Sequence, residues 1–120
     1  MTQEEKILLL KDLCARLPYE TIVSVDNGKY REDMKLRPYH IADFNNWNIK
    51  PYLRLMSSMT EEEESEYNLI QGLQHWMIED GMIQNYGDAI DWLNAHHFDY
   101  RGLIEMGLAL EAPEGMYKIN

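Results

Sequence analysis

Apolar positions recur at helical spacing at the start of the chain, at strand-like spacing in its middle and at helical spacing again in its second half. Ile7, Leu10, Leu13, Cys14 and Leu17 make one stripe of a helix predicted from about Thr2 to Leu17. Thr2 with Glu5 three residues on is a capping-box pattern, in which hydroxyl and carboxylate each satisfy a free backbone amide. Pro18 marks the end, because the residue before a proline is pushed out of helical angles. Asp26-Asn27-Gly28-Lys29 predicts a type I′ turn joining strands at Thr21–Asp26 and Lys29–Leu36. A second hairpin is expected from Tyr39–Phe44 and Asn48–Leu53, joined through Asn45-Asn46-Trp47, with Pro38 and Pro51 at strand ends or an edge.

Helical spacing returns after Ser58. Ser58 with Glu61, or Thr60 with Glu63, fits a second capping box, and the acidic first turn complements the helix dipole. Leu69, Ile70, Leu73, Trp76 and Met77 are the expected buried stripe, closed by Gly81. Asp88 is placed to cap a further helix to about His97, carrying Trp92, Leu93 and His96. Asp99 starts one more turn, ended by Gly107 in the left-handed position favoured after helices. Ala112-Pro113-Glu114-Gly115 reads as a turn, with Met116-Tyr117 packing back. The fold class expected is therefore α+β: an N-terminal helix, a small antiparallel sheet of two hairpins, and a C-terminal helical half in one domain, 1–120.

Charge divides the chain. Residues 60–120 hold 13 Asp or Glu against two bases, Arg101 and Lys118, whereas residues 1–59 are close to neutral; the whole carries −10. Such asymmetry disfavours nucleic acid as a direct ligand, since phosphates are repelled, and favours a basic protein partner. Three Trp and eight Tyr in 120 residues supply enough ring area for a core, so disorder is not expected. The single cysteine, Cys14, fits a reducing compartment. The longest early apolar run, Ile7-Leu8-Leu9-Leu10, is bracketed by lysines and too short for a leader or a span. A cytoplasmic protein with no membrane association is the expectation.

Three stretches resemble small proteins of gut Bacteroidetes genomes, prophages and conjugative elements. They are Asp12-Leu13-Cys14-Ala15-Arg16-Leu17-Pro18-Tyr19, Lys50-Pro51-Tyr52-Leu53-Arg54 continuing through Met56-Ser57-Ser58-Met59-Thr60-Glu61-Glu62, and His97-Phe98-Asp99-Tyr100-Arg101-Gly102-Leu103-Ile104 continuing to Gly107-Leu108-Ala109. The resemblance implies a mobile-element setting and a shared scaffold. It brings no assigned activity and no catalytic residue. Between the first two stretches this chain looks short, and Leu55 stands where the resemblance implies proline.

Candidate chemistry is sparse. His96-His97-x-Asp99 is the most ligand-like cluster, but adjacent helical histidines point about 100° apart, so His40 or His75 would have to complete a site. A packed and a solvated histidine with Asp99 as a cap is the stronger reading, so no metal or cofactor is assigned. Cys14, on an apolar stripe near a helix C-terminus, is expected to be buried filler. No nucleophile elbow, Cys-x-x-Cys or glycine-rich phosphate loop occurs, and nothing supports an enzyme. Glu61, Glu62, Glu63, Glu64 and Glu66, with Glu79, Asp80, Asp88 and Asp91 downstream, could present a cation or basic-partner surface; consecutive helical glutamates diverge instead of converging as calcium ligands must, and solvated capping and dipole chemistry is the stronger reading. Of the aromatic residues Tyr39, Phe44, Trp47 and Tyr52, Trp47 lies in an asparagine loop, either pinned on the core or offered to a partner.

The functional expectation is a non-enzymatic interaction protein binding a protein partner through its acidic half or a sheet edge, an edge that could also pair two copies. The alternatives are an acidic DNA mimic, with carboxylates in rows on one face, and a metal-dependent enzyme using His96, His97 and Asp99.

Overall fold

The computed structural model describes residues 1–79 and 88–117, with 73–79 and 88 as backbone. Its first helix, α1 (Gln3–Arg16), begins at the expected capping box: Glu5 N–H donates to Thr2 Oγ1 at 3.1 Å and Thr2 N–H to the Glu5 carboxylate at 2.8 Å. The remaining elements are β1 (Ile22–Asp26), β2 (Arg31–Lys35), α2 (Pro38–Ala42), β3 (Asn48–Leu53), α3 (Glu61–Glu79), α4 (Asp88–Ala95) and β4 (Leu110–Glu111). The chain is thus α+β, with a mixed sheet of order β2-β1-β3-β4. β1 runs antiparallel to β2 and β3, and β4 joins β3 in parallel through Tyr52 and Leu53.

The first hairpin forms with the expected strands but a different turn. Asp26 pairs with Arg31, leaving a four-residue loop, Asn27–Tyr30. A type I′ turn needs positive φ at both central residues. Only Gly28, at φ +91°, has it, while the Asn27 side chain accepts hydrogen bonds from the Lys29 and Tyr30 amides. The second expected hairpin is absent. Tyr39–Phe44 is not a strand; Pro38 opens the short helix α2, where its fixed φ suits the first turn and its missing N–H costs nothing. The Arg37 amide donates to Nδ1 of the buried His40 at 2.9 Å, so the ring's other nitrogen carries the proton and faces Met34 Sδ at 3.1 Å. β3 therefore pairs with β1, not with the segment before it. Pro51 lies inside β3 and is tolerated because β4 begins opposite Tyr52, so β3 is still an edge at Pro51.

The buried face of α1 is also rotated from the expected stripe. Leu9, Asp12, Leu13 and Arg16 are buried, while Ile7 and Cys14 are exposed. The cause is an ion pair inside the core. Arg16 Nε donates to Asp12 at 2.8 Å with both side chains fully covered; Arg16 Nη2 reaches the Phe98 carbonyl at 2.7 Å, and Arg101 Nε donates to the second Asp12 oxygen at 3.1 Å. An apolar stripe cannot reveal a face that carries its own charges. Around this pair, Leu9 and Leu13 pack on Val23, Val25, Leu36, Ile49, Leu53, Leu103 and Leu108. Trp92, Leu93 and Phe98 form a second cluster with Tyr67 and Ile70 of α3.

Leu69, expected in the buried stripe of α3, is 63% exposed; Leu73, Trp76 and Met77 fall where only backbone is described. Gly81 and the Asp88 cap lie outside the described residues and side chains. Asp99 does cap the final turn, accepting from the Leu103 and Ile104 amides, and Gly107 closes it at φ +77°. The Tyr117 hydroxyl packs back onto the sheet, donating to the Tyr52 carbonyl at 2.7 Å and accepting from the Ile22 amide at 2.9 Å.

Candidate functional site

The acidic helix start is partly structural. The second capping box forms at Thr60, whose amide donates to Glu63, while the Glu63 amide donates to the Thr60 hydroxyl. Glu63 itself points inward and is 4% exposed, gripped by the Arg54 guanidinium through two 2.7 Å hydrogen bonds. Those bonds hold its carboxyl down at about 2, well below the usual carboxylate range, against the opposing effect of burial. Arg54 also lies 4.2 Å over the Phe98 ring, so the pair ties the end of β3 to α3 and the second aromatic cluster. Glu61, Glu62, Glu64 and Glu66 are exposed. At about 100° per residue, Glu62 and Glu66, four apart, share one side of the helix and Glu61 and Glu64, three apart, share another, so the four make no single row. Glu79 is described only as backbone, and Asp80 lies outside the described residues.

The His96-His97-Asp99 cluster does not converge. His96 Nδ1 contacts the Trp92 carbonyl and its ring stacks on Trp92; His97 Nδ1 meets Thr21 Oγ1 at 3.0 Å and its ring stacks on Tyr117 at 3.8 Å. Both Asp99 oxygens accept backbone amides. Burial pushes His97 down to about 4 and the Tyr117 hydroxyl up to about 12. Among the described residues no three His, Cys, Asp or Glu side chains are grouped to hold a metal ion. A hollow of about 300 Å³ opens beside Arg54 and Tyr117, but both polar groups are already engaged in the bonds above.

The more distinctive surface lies at the other end of the sheet. Tyr30, Glu32 and Met34 alternate onto one side of β2 and its loop. There they meet Tyr39 of α2 and Trp47 from the loop before β3, enclosing a cleft of about 100 Å³ floored by Val25. Tyr30, Tyr39 and Trp47 are 65%, 52% and 37% exposed, large values for rings that could have joined the core. Trp47 also borders a wider hollow of about 440 Å³ shared with Phe44, Asn45 and Asn46. Tyr52, by contrast, is buried on the opposite face of the sheet, where its hydroxyl donates to Asp33 and accepts from Arg31.

Among the described residues β2 is an edge strand, pairing only with β1, and its exposed side chains are Arg31, Glu32, Asp33 and Lys35. Charges along an edge oppose indiscriminate strand pairing. The cleft beside it is lined by side chains of the strand, of α2 and of the loop before β3. Sequence reasoning singled out Trp47 and Tyr39 but missed Tyr30, Glu32 and Met34. Their period-two spacing was the available signal, masked because it belongs to a strand whose other face is charged.

No described helix is long and apolar enough to cross a membrane. Comparison with protein families, curated proteins and solved structures gave no match.

Proposed function

We propose that this chain is a non-enzymatic interaction protein that binds a protein partner through the cleft formed by Tyr30, Tyr39 and Trp47. The observation that carries this reading is the joint exposure of those three rings around one cavity, next to an edge strand whose charges discourage self-pairing. Exposed aromatic residues that share a concave site are the usual anchors of protein interfaces, because each offers a large area with few torsions to freeze. The net charge of −10 favours a basic partner by long-range attraction. The resemblance of three stretches to proteins of mobile elements supports a cytoplasmic role in such an element.

The test is affinity capture from host cytosol with three forms of the chain: wild type, Trp47→Ala with Tyr39→Ala, and Glu61, Glu62, Glu64 and Glu66 all changed to Gln. The proposal predicts a protein retained at high salt by wild type and by the glutamine form, and lost by the aromatic variant. Retention by the aromatic variant, with loss in the glutamine form and competition by duplex DNA, would contradict it and favour an acidic DNA mimic.

A further inference from the structure

Three rings and one carboxylate around a small cavity suit a particular ligand chemistry. Among the described residues the lining of the cleft contains Glu32 and no basic side chain. The basic residues of β2 are held elsewhere: Arg31 bonds Ser24 and the Tyr52 hydroxyl on the opposite face, and Lys35 lies 3.5 Å from Glu20. Aromatic faces carry negative quadrupole charge, so rings around a cavity attract a cation, tryptophan most strongly. A volume of about 100 Å³ holds about three waters, a size that an ammonium head on an alkyl chain can displace. Met34 and Val25 give the methylene stem an apolar floor.

We infer that the cleft binds the ammonium end of a lysine side chain presented by the partner, with Tyr30, Tyr39 and Trp47 as the cage and Glu32 as the counter-charge. This rests on the protein-binding reading above and specifies the chemistry that the partner must offer. Methylation of the lysine strengthens the contact, because a trimethylammonium group keeps its charge while shedding tightly held water.

The experiment follows the Trp47 indole N–H resonance, assigned by its loss in Trp47→Phe, as blocked single amino acids are added to the full chain. The probes are N-acetyl-lysine amide, its trimethyl form, and the uncharged analogue with carbon in place of the ammonium nitrogen. The trimethyl form is expected to bind about fivefold or more tightly than the uncharged analogue. Glu32→Gln should weaken the two cations and leave the uncharged analogue unchanged. Equal binding of the trimethyl form and its uncharged analogue, or no response to either lysine, overturns the inference. So does tighter binding of free choline than of any lysine probe, which would make the ligand a small molecule. If no lysine binds while capture of a partner still depends on Trp47, the cation assignment fails and the protein-binding reading stands.

Discussion

At the scale of single residues, His97 and Glu63 set how the protein responds to acid. His97 sits at φ +65°, a left-handed conformation rare for a non-glycine residue, and is kept there by Tyr117 and Thr21. Its folded pKa of about 4 lies below the unfolded 6.5, so in that window only the unfolded chain takes up the proton. Stability is fully present above 6.5, falls as pH drops through the window and levels off below it, a loss on the order of 3 kcal/mol. Glu63 has the same sign in a lower window, from 4.5 to about 2. Denaturant unfolding across these ranges should show two successive losses, and His97→Asn, which tolerates the left-handed backbone, should abolish the first alone. Arg54→Met should cost about 3–5 kcal/mol in the same assay at neutral pH, because it leaves the Glu63 carboxylate buried without its partner.

At the scale of elements, agreement between sequence and structure tracked how local the determining interactions are. Both capping boxes, the first hairpin's strands and the Gly107 closure depend on residues within a few positions of each other, and all formed. Pro38 carried two local meanings, strand boundary and helix opening; the His40 contacts with the Arg37 amide and Met34 decided for the helix. The buried side of α1 was illegible for a different reason. Asp12 is made tolerable in the core by Arg101, 89 positions away, and Arg16 by the Phe98 carbonyl. The i,i+4 spacing of Asp12 and Arg16 was visible but reads equally well as a solvated surface pair. Asp12→Ala should therefore destabilise by about 3–5 kcal/mol, far more than the loss of a surface pair. Cys14, on the outward side of the same helix, should react with a thiol reagent in the native protein at the rate of an accessible cysteine; reaction only upon unfolding would place it inside.

At the scale of the whole molecule, the fold separates two surfaces. The radius of gyration, 15.7 Å, exceeds the roughly 14 Å expected for a compact chain of this length, and the longest dimension is 53 Å. The acidic start of α3 joins the second aromatic cluster through Arg54 and Glu63, whereas the open cleft lies at the far side of the sheet on β2. On the proposed function, this separation would give the charge asymmetry the part of attraction at a distance and leave contact to the aromatic cleft. Part of that site was legible, since a tryptophan in an asparagine loop is conspicuous. The rest was not, because the cleft exists only once α2 folds as a helix and brings Tyr39 across to β2.

Amide hydrogen exchange on the captured complex, compared with the free chain, tests the assignment of the contact surface most directly. Slowed exchange at the loop Asn27–Tyr30, along β2, in α2 and around Trp47, with the start of α3 unchanged, is the predicted result. Protection confined to residues 61–66, with the cleft exchanging as in the free chain, would contradict it.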